Sequence, residues 1–371
     1  MPDLEAQYPF KFSESIWSTC SSPDGLFVAI IFSNSKSIVH VYSSKDPATC
    51  IKTLHVPGYS ADHPAPASLV VCCAWSPVPE DGLYQLAIAS SQGHVSTCLS
   101  GSWEVFIAPQ TNLRLMSRNF HQISVLRDSL IVASNHELVV WTRSRKPGRW
   151  ELAPNKPVVV YSPTSGDHAI CLDVHFSGCA AAICSLEKQS VIIVGLSNAR
   201  PDLNAQLRQT PREVTESSGQ DMFVTPAELE DEDSFGPSVL NQVKLADQRR
   251  PIACSWSKYG ETLAIASSDN LLSIWNIPGR TMETVAVGED DVIIRNVRFI
   301  SDVIVAVALS DSNRLLLVDV DEGVLYEPDS LGDAAESSKN RALDFSAPKG
   351  SSKLVLARPG HDQLRRWLVG L

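Results

Sequence analysis

The chain has 371 residues, of which 44% are hydrophobic, and a formal net charge of -11. That length and apolar content can bury a large core. The acidic balance argues against a general nucleic-acid binder.

The first residues, MPDLEAQYPFKF, lack a basic region followed by an apolar core, so no secretory signal is predicted. No apolar run reaches the roughly 18 residues that a spanning helix needs, and no membrane insertion is expected. The nine cysteines are odd in number, and Cys20, Cys72, Cys73, Cys171, Cys184 and Cys254 sit inside apolar, strand-like runs. No Asn-x-Ser/Thr sequon occurs. This is cysteine used as a small buried hydrophobe in a reduced compartment, so cytoplasm or nucleus is the expected location.

Taken in order, the chain repeats one pattern of four short strands, here called a, b, c and d. The first copy has a at 16–21, a Ser22-Pro23-Asp24-Gly25 turn, b at 26–32, c at 38–42 and d at 50–56. Proline suits the second turn position, and Asp-Gly tolerates left-handed backbone. A Pro- and His-containing loop, 57–68, leads to the second copy, at 69–75, 84–90, 94–99 and 103–108. The third runs through 121–126, 130–134, 137–143 and 150–152, with a basic loop, RSRKPGR, between c and d. The fourth has strands at 169–176, 180–185 and 190–196. There the rhythm stops.

Residues 198–238 are polar and acidic and include the run ELEDED. Such a composition buries too little apolar surface to order itself, so a disordered insertion within the fourth copy is expected, followed by a delayed strand d at 239–245. The fifth copy, PIACSWSKYGETLAIASSDNLLSIWNI at 251–277, is the sharpest; its strand d is at 283–287. A sixth copy occupies 293–299, 303–309, 315–320 and 324–326. The seventh, at 342–345, 353–357 and 363–369, is one strand short, and QYPFKF at 7–12 is available to complete it. Closure of that kind would remove exposed sheet edges.

The fifth copy resembles a WD repeat: CSWSKYGETLAIASSDNLLSIWN has the family's a-strand, turn, small-residue b-strand, Asp-containing turn and terminal Trp. SSPDGLFVAIIF, VCCAWSP and LVVWTR are weaker copies. Gly-His before an a-strand is absent, and the terminal pair appears as Trp275-Asn276, Trp141-Thr142 and Val318-Asp319. The resemblance implies an all-β fold: a single seven-bladed β-propeller over 1–371, closed by the N-terminal strand. It also implies a non-catalytic scaffold that binds protein partners, as a subunit of a larger assembly. A nuclear-pore, chromatin or ubiquitin-ligase subunit is the narrower alternative. A propeller hydrolase with a central-channel site is the alternative from another class.

Motifs for chemistry are sparse. Ser185-Leu186-Glu187-Lys188 matches Ser-x-x-Lys, but that pattern needs a helix to align its ends, and here it falls on a strand end and turn. No Gly-x-Ser-x-Gly, Walker A or Gly-x-Gly-x-x-Gly occurs. Zinc spacings are missing, so no metal or cofactor is expected. Candidate partner-binding residues are Arg143, Arg145, Lys146 and Arg149 of the basic loop, and the b–c turns. The turns contribute Asn34, Gln92, His94, Asn135, His136, Lys188, Asp269, Asn270, Asp311 and Asn313, with Lys188 and Asp311 foremost. Thr210 and Thr225, each before proline, and Ser234, after the acidic run, are candidate phosphorylation sites. Met222-Phe223-Val224 is an apolar island suited to a partner's groove or to packing back on the sheets. In a propeller all c–d loops share one face, which would place the basic loop near the acidic run 228–233.

Overall fold

The computed structural model describes residues 4–14, 16–35, 37–43, 49–55, 70–76, 79, 81–90, 94–108, 122–125, 129–133, 138–143, 150–152, 169–175, 177, 179–185, 188–196, 201–213, 222–223, 239–246, 249–287, 294–309, 315–326, 344–346, 353–357 and 363–369. The first strand, β1 (Leu4–Lys11), stands apart from the sheet that follows it. β2 (Ile16–Ser21), β3 (Phe27–Phe32), β4 (Ile38–Ser43) and β5 (Cys50–His55) pair in that order. So do β6 (Val70–Trp75), β7 (Gln85–Ser90), β8 (Val95–Leu99) and β9 (Val105–Ile107). β10 (Gln122–Val125), β11 (Ser129–Ala133), β12 (Leu138–Arg143) and β13 (Trp150–Leu152) follow in the same manner.

β14 (Ala169–Val174), β15 (Ala180–Ser185) and β16 (Ser190–Gly195) begin a further sheet. Before it is completed by β19 (Val239–Lys244), the chain forms α1 (Pro201–Leu207), β17 (Arg212–Glu213) and β18 (Met222–Phe223). Next come β20 (Pro251–Trp256), β21 (Thr262–Ser267), β22 (Leu271–Asn276) and β23 (Thr281–Ala286). β24 (Ile294–Phe299), β25 (Ile304–Leu309), β26 (Leu315–Asp319) and β27 (Val324–Tyr326) pair in order. The last strands are β28 (Asp344–Ser346), β29 (Lys353–Ala357) and β30 (Gln363–Val369). β1 lies antiparallel beside β30, the place expected for the strand missing from the last copy.

These antiparallel sheets have a β-propeller arrangement, and three repeated details define its blades. First, the a–b pairing skips the second residue of the a-strand: Trp17, Val71, Ile170, Ile252 and Arg295. An extra residue on one strand bends it and increases its twist. Second, the residue after the a-strand closes a turn onto the start of the b-strand. In Ser22, Ser76 and Ser257 the main-chain N–H donates to the carbonyl of Phe27, Gln85 and Thr262 at 2.9, 2.7 and 2.9 Å. Their hydroxyls accept the N–H of the same three residues at 2.9, 2.9 and 3.1 Å. His175 takes that position after β14, its N–H on Ala180 O at 2.9 Å. Third, the third residue of each b-strand is a fully buried alanine: Ala29, Ala87, Ala182, Ala264 and Ala306. Small side chains there allow neighbouring sheets to pack closely.

This signature corrects the expected count. Five blades of four strands, led by β2, β6, β14, β20 and β24, share it, not seven equivalent copies. The pairings β10–β11 and β28–β29 carry no such skip. In these two sheets the repeat rhythm marks strands but not the bulged, serine-closed blade.

By its contacts the chain forms two compact units: Met1–Ser134, Leu138–Val158 and Leu343–Leu371 in one, Asn135–Glu137 and Val159–Ala342 in the other. Within each, successive a-strands are stitched together. In the first unit, the indole N–H of Trp75 donates to Cys20 O at 3.0 Å. In the second, the indole of Trp256 donates to Asp173 O at 3.2 Å, and its main-chain N–H donates to Asp173 Oδ2 at 2.7 Å. The N–H of Phe299 donates to Ser255 Oγ at 3.2 Å. Every stitch runs from the last residue of one a-strand to the next-to-last residue of the preceding one.

The segment 198–238 also departs from expectation, because 201–213 and 222–223 are folded. Pro201 opens α1 at a position where a missing N–H costs nothing. Leu203 and Leu207 are buried in the core of the second unit. Asn241 on β19 donates from Nδ2 to Leu207 O at 2.9 Å and to Gln209 O at 3.1 Å, serving carbonyls that the helix end leaves open. β17 then lies parallel to β23, and β18 pairs with β17, giving a sheet of six strands.

Four substitutions test this packing. Gly260, at φ 74°, faces His175, whose Nε2 would be 1.8 Å from an added Cβ. Gly260→Ala should cost about 3 kcal/mol, while Gly82→Ala, at φ 78° but with nothing within 4 Å, should cost about 1 kcal/mol. Asp173→Ala, which strips the acceptor from the N–H of Trp256, should cost about 2 kcal/mol, with Asp173→Asn losing less. Chemical denaturation of the three proteins beside Gly82→Ala reads all four values.

Candidate functional site

Among the expected turn residues, Asn34, His94, Lys188, Asp269 and Asn270 are described, and each lies between a b- and a c-strand. Lys188 is half-buried, and its N–H donates to Ser185 Oγ at 3.2 Å. Ser185-x-x-Lys188 is therefore a turn closed by a buried hydroxyl. Asp269 accepts the hydroxyl proton of Ser267 and pairs with Arg249 Nε at 3.2 Å. Asn270 is buried, with φ 65°. These contacts make Asp269 and Asn270 parts of the turn itself. Asn34 is exposed and His94 half-buried, its N–H on Ser90 Oγ at 3.1 Å.

Arg143 ends β12 opposite Trp150. Arg145, Lys146, Arg149, Gln92, Asn135, His136, Asp311, Asn313, Thr225 and Ser234 lie outside the described residues, as does the expected meeting of the basic loop with 228–233. Thr210 is half-buried between α1 and β17, with Pro211 buried beside it. The apolar island at 222–224 supplies β18, which packs back onto the β17 edge through main-chain pairing.

Trp17 on β2, Leu26 and Tyr259 in turns, and Ile51, Val105 and Ile107 on outer strands are the exposed large apolar side chains among the described residues. β5 is exposed at every position but Leu54. On β9, the last strand of its sheet, Val105 and Ile107 are 43% and 63% exposed and point to the same side. An open strand edge presents unpaired N–H and C=O groups that template another strand. The equivalent edge of β23 is already used: β17 pairs with it through Arg212↔Thr281 and Glu213↔Met282.

A second concentration of chemistry sits on the first blade. The β4–β5 register skips Ile51, so Cys50 faces Tyr42 while Thr53 faces His40. The skip brings Cys50 to the face shared by His40 and Tyr42. Cys50 Sγ lies 3.8 Å from His40 Nδ1, 3.8 Å from Thr53 Oγ1 and 3.4 Å from Lys52 O. The ring of Phe32 meets His40 edge-on at 5.3 Å. Burial holds the His40 imidazole below its usual pKa, opposed by Glu14 and assisted by His55. Burial, with the nearby Cys50 and Glu14, pushes Tyr42 up to about 12. Sequence reading missed this group because its parts come from different strands and Cys50 joins them only through the register skip.

Most other described thiols are buried. Burial pushes Cys98 up to about 12 and Cys184 well above the ordinary thiol range. Cys171, Cys184 and Cys254 pack together in the core of the second unit. Among the described residues, no group of three or more His, Cys, Asp or Glu is placed to hold a metal ion. No described helix is long and apolar enough to cross a membrane. No protein-family model matches the chain, and no curated protein is significantly similar to it.

Asn241 is the handle on the folded part of the insertion. Asn241→Ala should leave Leu207 O and Gln209 O without their donor and cost about 1–2 kcal/mol locally. Limited proteolysis should then cut within 201–213 faster than in the parent protein, with the melting temperature little changed.

Proposed function

We propose that the protein is a non-catalytic interaction scaffold of WD-repeat type, a subunit of a multiprotein assembly in the cytoplasm or nucleus. One observation carries the reading: a blade edge of this chain accepts an extended segment as an added strand, β17 on β23. Strand addition draws affinity from main-chain hydrogen bonds and specificity from alternate side chains. β9 offers the same main-chain edge with Val105 and Ile107 exposed beside it. The proposed partner contributes an extended apolar segment there.

The WD-type assignment is supported by the blade of β20–β23. Trp275 is buried on its c-strand, and Ser267 and Asp269 bond across the b–c turn. Arg249 stands ahead of the a-strand, where the family carries Gly-His, and ties that turn down through Asp269. The location is supported by cysteine usage: the described cysteines are all free thiols, and most are buried.

Val105→Asp with Ile107→Asp tests the edge. Both side chains are solvent-facing, so the fold should persist by circular dichroism. Partners that co-purify with the parent protein should be lost or reduced about tenfold or more, as for charge placed at an interface centre. An unchanged set of partners would sink the β9 edge as the docking site, and turnover of a generic esterase or phosphatase substrate by the purified chain would sink the scaffold reading.

A further inference from the structure

Cys50 is the described cysteine with an exposed side chain; Cys20 and Cys73 are half-buried, and Cys98, Cys171, Cys179, Cys184 and Cys254 are buried. Exposure alone makes no site. Here the thiol, whose S–H also has Lys52 O at 3.4 Å, lies 3.8 Å from a ring nitrogen, His40 Nδ1. The imidazole is fixed from behind by Phe32, at 5.3 Å, and flanked by Tyr42, at 6.5 Å between ring centroids. The thiolate is the nucleophile in sulfur exchange, so a neighbouring proton acceptor and open access are what reactivity requires. The β-bulge at Ile51 supplies both, since in unbroken register Cys50 would face Ser43 and point to the other side of the sheet.

We propose that Cys50 is a covalent modification site that exchanges with small-molecule disulfides, with His40 as its proton acceptor. The Cys50 S–H proton passes to His40 Nδ1, and the sulfur attacks one sulfur of the disulfide. A new S–S bond forms to Cys50 as the old one breaks. The departing sulfur leaves as a thiolate and takes the proton back from His40. Cys50 is oxidised, the released thiol is the reduced product, and the disulfide is the oxidant. A thiol reductant reverses the step. This inference does not depend on the scaffold reading, because it concerns β4 and β5 of the first blade rather than the β9 edge.

The test treats the full-length protein with glutathione disulfide and follows intact mass and peptide maps over time. The mixed disulfide should appear first at Cys50, be absent in Cys50→Ser and be removed by dithiothreitol. His40→Gln should slow the reaction by about tenfold or more, the scale expected for loss of a positioned base. Ser43→Ala, on the opposite face of β4 from His40, leaves the thiol and imidazole in place and should keep the parent rate. Independently of any variant, Cys50 should react faster in the folded protein than in the urea-unfolded chain. First modification at another cysteine, equal rates with and without His40, or a slower folded than unfolded rate would each overturn the proposal. So would a loss in Ser43→Ala as large as that in His40→Gln, because strand distortion would then account for the effect.

Discussion

The fold rests on one hydrogen-bonding rule: the last residue of an a-strand donates to the next-to-last residue of the a-strand before it. Trp75 meets Cys20, Trp256 meets Asp173, and Phe299 meets Ser255. Sheets that pack face to face are otherwise held by non-directional burial, which tolerates sliding. A directional bond at the ends of β6, β20 and β24 fixes how far each of those blades has advanced relative to the one before it. The acceptor differs at each stitch, a carbonyl in one, a carboxylate in another and a hydroxyl in the third. The geometry is kept while the residue type changes, so the rule leaves little trace as a sequence motif.

What could be read directly from the sequence was the strand rhythm. Buried runs such as TLAIAS and QLAIAS, the serine-closed turns at Ser22, Ser76 and Ser257, and the N-terminal strand beside β30 follow from alternation and turn chemistry. The blade count did not follow. Rhythm records strands, whereas a blade is defined by a skipped residue such as Trp17 or Ile252, and a skip is a property of pairing that no single strand displays. Composition gave no sign of the elements at 201–213 and 222–223. Leu203 and Leu207 suffice to anchor a seven-residue helix when Asn241 receives its end, and β17 pairs through main chain whatever its side chains are. Polar segments can order themselves by such backbone bonds when a ready edge is nearby.

The same separation between backbone and side chain bears on function. Two of the turn residues named as contact candidates, Asp269 and Asn270, are occupied in holding their own loop. Their polarity serves a left-handed backbone and an ion pair. Chemistry available to other molecules lies instead on the outer strands: the apolar pair on β9 and the thiol and imidazole between β4 and β5. Both depend on edge strands, where the ladder ends and a small irregularity in register decides what faces outward.

The crossing of β17 onto β23 has a consequence for how the second unit folds. In an array of repeats, stability is close to a sum of separate modules and nearest-neighbour contacts, so one module can fray without the next. Here a segment that leaves one sheet after β16 completes the far side of the next before returning to close its own sheet with β19. The first sheet thus lends chain to the second, which lacks its full set of hydrogen bonds until β17 and β18 have joined it. The pair from β14 to β23 behaves as a single cooperative block inside a modular architecture, the natural place for the slowest amide exchange in the molecule.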